Sequence, residues 1–280
     1  MKFSRSEFVN WKRKAVTLIG MSGVGKTMLA RKLPSTSWFH FSADYRIGTR
    51  YVSEQMLDNI KEKAMEIDFL RDLLRSDSIY IANNITVDNL EPLSKWMGKL
   101  GNSSQGGLCL SEFKRRQQLH LEAEIASMLD VGEFIRKSYT IYGYENFVND
   151  SSGSVCELGK DEVLRHLAEH TLIVYLEADE QLEDTVIKRQ ESNPKPLYYE
   201  PEFLDSKLGE YLQLHGYGSE QDIEPDDFVR WIFPHLVKNR KAKYESIADN
   251  YGYTMSASRI GDICDVQDFI ELVCESLDPD

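Results

Sequence analysis

Basic residues are in short supply in this chain: 33 Lys and Arg stand against 46 Asp and Glu, for a net charge of −13 and a pI near 5.0. A surface of that sign repels polyanions, which disfavours a role in coating nucleic acid and leaves a local basic cleft as the only route to one. Long apolar runs are missing as well. No stretch approaches the length needed to cross a bilayer, and Met1-Lys2-Phe3-Ser4-Arg5 leads into charged residues rather than a signal core. A soluble, cytoplasmic protein without a membrane partner is expected. Cysteine is scarce: Cys109, Cys156, Cys264 and Cys274 lie far apart and without metal-ligand spacing, which suits free thiols in a reducing compartment.

What is present is a phosphate-binding pattern. Gly20-Met21-Ser22-Gly23-Val24-Gly25-Lys26-Thr27 fills G-x-x-x-x-G-K-[ST] at every required position, directly after the apolar run 15–19. Glycines at 20, 23 and 25 let successive backbone N–H groups turn inward, and a helix opening near Lys26 through Met28 adds its positive end to the same cavity. Lys26 is expected on the β- and γ-phosphates and Thr27 on magnesium, with ATP and Mg2+ as cofactors.

The 280 residues exceed one small domain. Apolar runs at 15–19, 38–41, 78–82, 146–149 and 171–176 alternate with helical periodicity, which predicts an α/β fold with a mostly parallel sheet between helical layers. Runs 78–82 and 146–149 compete for one place in the sheet. The second is favoured, because a helix over 160–169 then makes a short crossover to 171–176. Residues 54–145 read as an inserted, mostly helical acceptor-binding lobe, dividing a core of 1–53 and 146–280. The glycine- and serine-rich stretch 101–107 reads as the best hinge. Asp44, just beyond the second strand, falls on the same carboxyl-end rim as Lys26. Asp150 reads either as a magnesium-anchoring carboxylate or as a turn cap.

In chain order these landmarks resemble the small P-loop kinases that include shikimate kinase and gluconate kinase. The likeness rests on the loop, on Asp44, on Asn149-Asp150-Ser151-Ser152-Gly153-Ser154 in place of the family's glycine-rich substrate turn, on Arg189 followed by Pro194-Lys195-Pro196-Leu197 as its lid near 185–202, and on Leu236 to Tyr244 with Arg240 as its substrate-facing arginine. It covers roughly half the chain and leaves the insertion unaccounted for. Two departures stand out: one aspartate in Ser42-Ala43-Asp44 where the family has a pair, and one glycine in the substrate turn. Both lie on the acceptor side and argue against shikimate itself. The resemblance implies a P-loop NTPase fold and ATP-dependent transfer of phosphate to a small hydroxylated metabolite or nucleoside-like acceptor. Asp44 would receive the hydroxyl proton, Arg189 would act as a lid cation, and Arg46, Arg136, Gly153, Lys195 and Arg240 would line the acceptor side. Arg240 lies among Lys238, Lys241 and Lys243 and reads equally as a solvated basic face. Rival readings are a kinase of a nucleotide or of a hydroxylated base in nucleic acid, and a nucleotide-gated interaction protein. Oligomeric state is not encoded in any pattern found.

Overall fold

The computed structural model describes residues 3–277. Five strands, β1 (Ala15–Ile19), β2 (Trp38–Ser42), β3 (Asn146–Asp150), β4 (Leu172–Glu177) and β5 (Gly252–Ser256), form one sheet in the order β2-β3-β1-β4-β5. Every pairing is parallel. A parallel strand is covered on both faces, so β1 reads as unbroken apolar and Thr residues, and all five of its positions are buried. On β2 the alternation of side chains is visible in the aromatic contacts. Trp38 stands edge-on to Phe269, while Phe39 and Phe41 both turn the other way onto Phe134.

Helix α1 (Arg5–Asn10) precedes β1, α2 (Lys26–Lys32) and α3 (Ala43–Arg46) follow β1 and β2, and α4 (Ser53–Met65), α5 (Asp68–Arg75), α6 (Glu91–Met97), α7 (Leu110–Leu129) and α8 (Val131–Thr140) come before β3. Then come α9 (Asp161–His170), α10 (Glu180–Ser192), α11 (Pro201–His215), α12 (Pro225–Tyr251) and α13 (Val266–Ser276). Helices α8, α9 and α12 pack on the sheet and α2 crosses β2 and β3, so the architecture is the three-layer α/β fold of P-loop proteins.

Three features differ from the sequence expectation. Residues 78–82 form no strand: Tyr80 is 89% exposed, and the apolar stretch is too short, ahead of Ala82-Asn83-Asn84, to bury two faces. Strand β3 holds the place instead. The segment 54–145 is also not one separate lobe. Phe113, Ile125, Met128 and Val131 of α7 and α8 belong to the same core cluster as the sheet. A smaller second cluster, with Ile47, Met56, Leu93, Trp96 and Met97, is all that stands apart. Finally, the stretch 101–107 is a pinned turn rather than a mobile hinge. Gly101 N–H donates to Leu108 O at 3.1 Å, and Asn102 N–H donates to Ile223 O at 2.8 Å.

Candidate active site

At the carboxyl edge of the sheet, β1 runs into a loop whose glycines 20, 23 and 25 all have positive φ. Gly25, at φ 107°, caps α2, where an L side chain would be strained. Lys26 is buried, and its Nζ donates to Gly20 O at 2.7 Å and Met21 O at 3.0 Å. Burial lowers its pKa, opposed by the nearby carboxylates of Asp150 and Asp44. Thr27 Oγ1 donates to Asp150 Oδ2 at 2.7 Å, with His40 Nε2 at 3.4 Å from the same oxygen. A hydroxyl and a carboxylate in contact at the mouth of an amide cage fit the oxygen preference of Mg2+, which takes one or two protein oxygens and completes its shell with phosphates and water. Thr27 and Asp150 are therefore the residues suited to hold it.

The turn after β3 closes on this loop. A Cβ at Gly153 would lie 2.8 Å from Ser22 N and 3.1 Å from its Cα, both backbone atoms, so only glycine lets turn and loop approach. The turn is held from behind by two buried carboxylates. Glu124 of α7 accepts from Ser152 Oγ and, at 2.7 Å, from Ser154 Oγ, and burial raises its pKa. Glu157 accepts from Arg240 Nε at 2.9 Å and Nη2 at 2.6 Å, while Arg240 also donates to Gly153 O at 2.7 Å and Tyr198 O at 2.8 Å.

Two cavities meet here. The smaller, about 590 Å3, lies over the loop and extends to Leu182 and Thr185 of α10 and to Ala257 and Ser258 beyond β5. The larger, about 770 Å3, opens toward α6, α7 and the segment after α10. Ser22, Gly23, Asp44, Gly153 and Arg189 line both. The Asp44 carboxylate makes no hydrogen bond or ion pair among the described residues, and its position at this junction pushes its pKa up to about 6. Burial is the main cause; His120 opposes it, and Asp150 and Glu124 add to it. Arg189, exposed on α10, and Lys195 have no carboxylate partner among the described residues.

The sequence expectation thus comes together in the loop, Asp44, Asp150, Gly153, Arg189 and Lys195. Met28 lines the smaller cavity, half exposed. Two residues need correction. Arg46 lines neither cavity: its Nε donates to Asp130 Oδ2 at 2.7 Å and its guanidinium lies over the Phe134 ring, because α3 turns it to the back of the rim. Arg136 is exposed on α8 and lines neither cavity. Arg240 lines the larger cavity but is 1% exposed, so it is no solvated face, and its bonds to Glu157 and two carbonyls also make it a brace behind the turn. The sequence reading passed over His120 and Tyr198, which line the larger cavity; His120 shows only as one polar position on a helix, and nothing local marks it. The rings of Tyr142, Tyr144 and Phe147 pack around Phe39 of β2.

Among the described residues no helix is long and apolar enough to cross a membrane. No protein-family model matches the chain, nor does any curated protein. Among solved structures the chain is similar to shikimate kinase from Bacteroides thetaiotaomicron, with a TM-score of 0.41 and 15% sequence identity over 92% of this chain and 99% of that one.

Proposed function

We propose that this chain is an ATP-dependent phosphotransferase that moves the γ-phosphoryl group to a hydroxyl of a small metabolite or nucleoside-like acceptor. The observation that carries the reading is the junction of the two cavities, where an unpaired carboxylate, an unpaired arginine and the phosphate loop share one wall. The donor occupies the smaller cavity and the acceptor the larger.

Each residue then has a defined task. Loop amides grip the β- and γ-phosphates, and Lys26 exchanges the carbonyls of Gly20 and Met21 for phosphate oxygens. Asp44 orients the acceptor hydroxyl and takes its proton as the oxygen bonds to the γ-phosphorus. The bond from that phosphorus to the bridging oxygen breaks, and ADP keeps the electron pair. A pKa near 6 is well matched to this work, since the group is ionised at neutral pH yet basic enough to accept a proton. Arg189 meets the charge spreading over the equatorial oxygens. Thr27 and Asp150 would hold magnesium, which when bound would supply further charge neutralisation. The net charge of −13 counts against a nucleic-acid acceptor.

The test is a metabolite-library screen for phosphate transfer from γ-labelled ATP, with nucleosides and modified DNA included. Label appearing on a hydroxylated small molecule supports the reading. ATP binding without transfer to any acceptor, together with a nucleotide-dependent change in protein partners, overturns it.

A further inference from the structure

Residues 194–200, between α10 and α11, form neither helix nor strand, so their backbone groups must find partners outside a ladder. They find them on three helices. Gln190 of α10 donates from Nε2 to Lys195 O at 2.7 Å, and Arg240 of α12 donates from Nη2 to Tyr198 O at 2.8 Å. Gln117 of α7 holds two groups at once: its Nε2 donates to Leu197 O at 3.2 Å, while its Oε1 accepts from Tyr199 N–H at 2.7 Å. A carbonyl only accepts and a backbone N–H only donates, so these two partners fix the orientation of the Gln117 amide.

Packing works in the same direction. Gln117, Tyr198 and Tyr199 are all buried, and the Tyr199 ring lies against Phe113 of α7 with centroids 6.2 Å apart. Pro194 and Pro196 add two fixed φ angles and have no N–H to satisfy. Lys195, Pro196, Leu197 and Tyr198 line the larger cavity, and none of these four lines the smaller one. The resemblance to small P-loop kinases implies a closing lid here. Swinging this stretch away would break its ties to α7, α10 and α12, strand the buried Gln117 amide and expose two tyrosines.

We infer that residues 195–198 form a wall of the acceptor cavity that is set before any substrate binds, and that Gln117 is the residue that positions it. Gln117 lines neither cavity, so it acts through the segment it holds. The inference rests on the phosphotransferase reading above for the identity of that cavity, and adds to it a preformed acceptor wall and a positioning residue.

Hydrogen–deuterium exchange on the whole protein tests it, with and without Mg2+ and the non-hydrolysable ATP analogue AMP-PNP. Amides in 195–199 are expected to exchange slowly in the nucleotide-free protein and to slow by less than about twofold with the analogue, while those of the phosphate loop slow about tenfold or more. In Gln117→Leu, which removes both bonds and little volume, exchange in 195–199 should rise about tenfold or more. With the small molecule that takes label from γ-labelled ATP in the screen above, the same variant should raise the acceptor KM about tenfold and leave kcat and the affinity for Mg·ATP within about twofold. Exchange at 195–199 as fast as at exposed loops, or slowing there by about tenfold with the analogue, overturns the inference. So does a Gln117→Leu variant in which exchange at 195–199 and acceptor KM are both unaltered. If Gln117→Leu does not fold, exchange in the wild type decides. If no compound takes label, the phosphotransferase reading falls, and the exchange data still decide whether the segment is fixed.

Discussion

Asp44 and His120 face one cavity with pKa values moved in opposite directions, to about 6 and about 4, mainly because burial disfavours the charged form of each. The consequences for stability follow by linkage. Asp44 binds its proton more tightly folded than unfolded, so ionising it costs stability as pH rises from its ordinary 3.8 to about 6. His120 binds its proton less tightly folded than unfolded, so stability is lost as pH falls from its ordinary 6.5 to about 4. The two slopes oppose each other across the shared window. In His120→Asn, unfolding free energy should therefore fall between pH 4 and 6, and in Asp44→Asn it should rise over the same range; matching flat profiles in denaturant titrations would contradict both shifts. At pH 7 Asp44→Asn should be the more stable protein by about 2–3 kcal/mol, since it removes an ionised group held at unfavourable cost. For the wild type, kcat/KM should drop about tenfold per pH unit below pH 6 as the base becomes protonated. Lys26→Ala should abolish the rise in Tm caused by Mg·ATP, because among the described residues no other ammonium lines the cavity over the loop. An equal rise in both proteins would contradict that role.

Local signals settled the elements where apolar pattern and turn chemistry agree. The runs at 15–19, 38–41 and 146–149 are strands to within a residue because a parallel strand needs only a short unbroken apolar stretch to bury both faces. Residues 78–82 met the same composition test and failed in space, since a strand also needs a free edge, and β3 takes the edge between β1 and β2. The stretch 101–107 misled for a related reason. Glycines permit motion, but here they permit close approach, and the fixed partners on Ile223 and Gln221 are far away in sequence. Gly153 shows close approach at the site itself. Its replacement by Ala sets a Cβ against the backbone of Ser22, and should cost about 1–3 kcal/mol in denaturant unfolding and weaken ATP binding in calorimetry. An unchanged affinity would mean the turn does not constrain the loop. On α10, Arg189→Ala should lower kcat about 10²- to 10³-fold while changing ATP affinity little, as expected for a cation used in the transition state.

Across the whole molecule, the Arg240–Glu157 pair ties α12 to the turn after β3 and to the segment after α10. Both side chains are almost fully buried, at 2% and 0% exposed. Arg240→Met strands a buried carboxylate and should destabilise the protein by roughly 3–5 kcal/mol, whereas Arg240→Met with Glu157→Leu should recover most of that loss. Such a link was invisible in sequence, where Arg240 looked like one of several basic residues on a helix; only the 83-residue contact distinguishes it. The same holds for the acceptor wall. The phosphate loop was legible because one contiguous segment builds it, while His120 and Tyr198 become neighbours only when α7 and the segment after α10 converge. The central claim is that the carboxylate at the junction of the two cavities performs the proton transfer rather than holding the nucleotide. Single-turnover phosphate transfer with saturating Mg·ATP and an accepted substrate, in wild type and Asp44→Asn, tests it directly. The account predicts a loss of at least about 10²-fold in the transfer rate at unchanged ATP affinity; equal rates in the two proteins would contradict it.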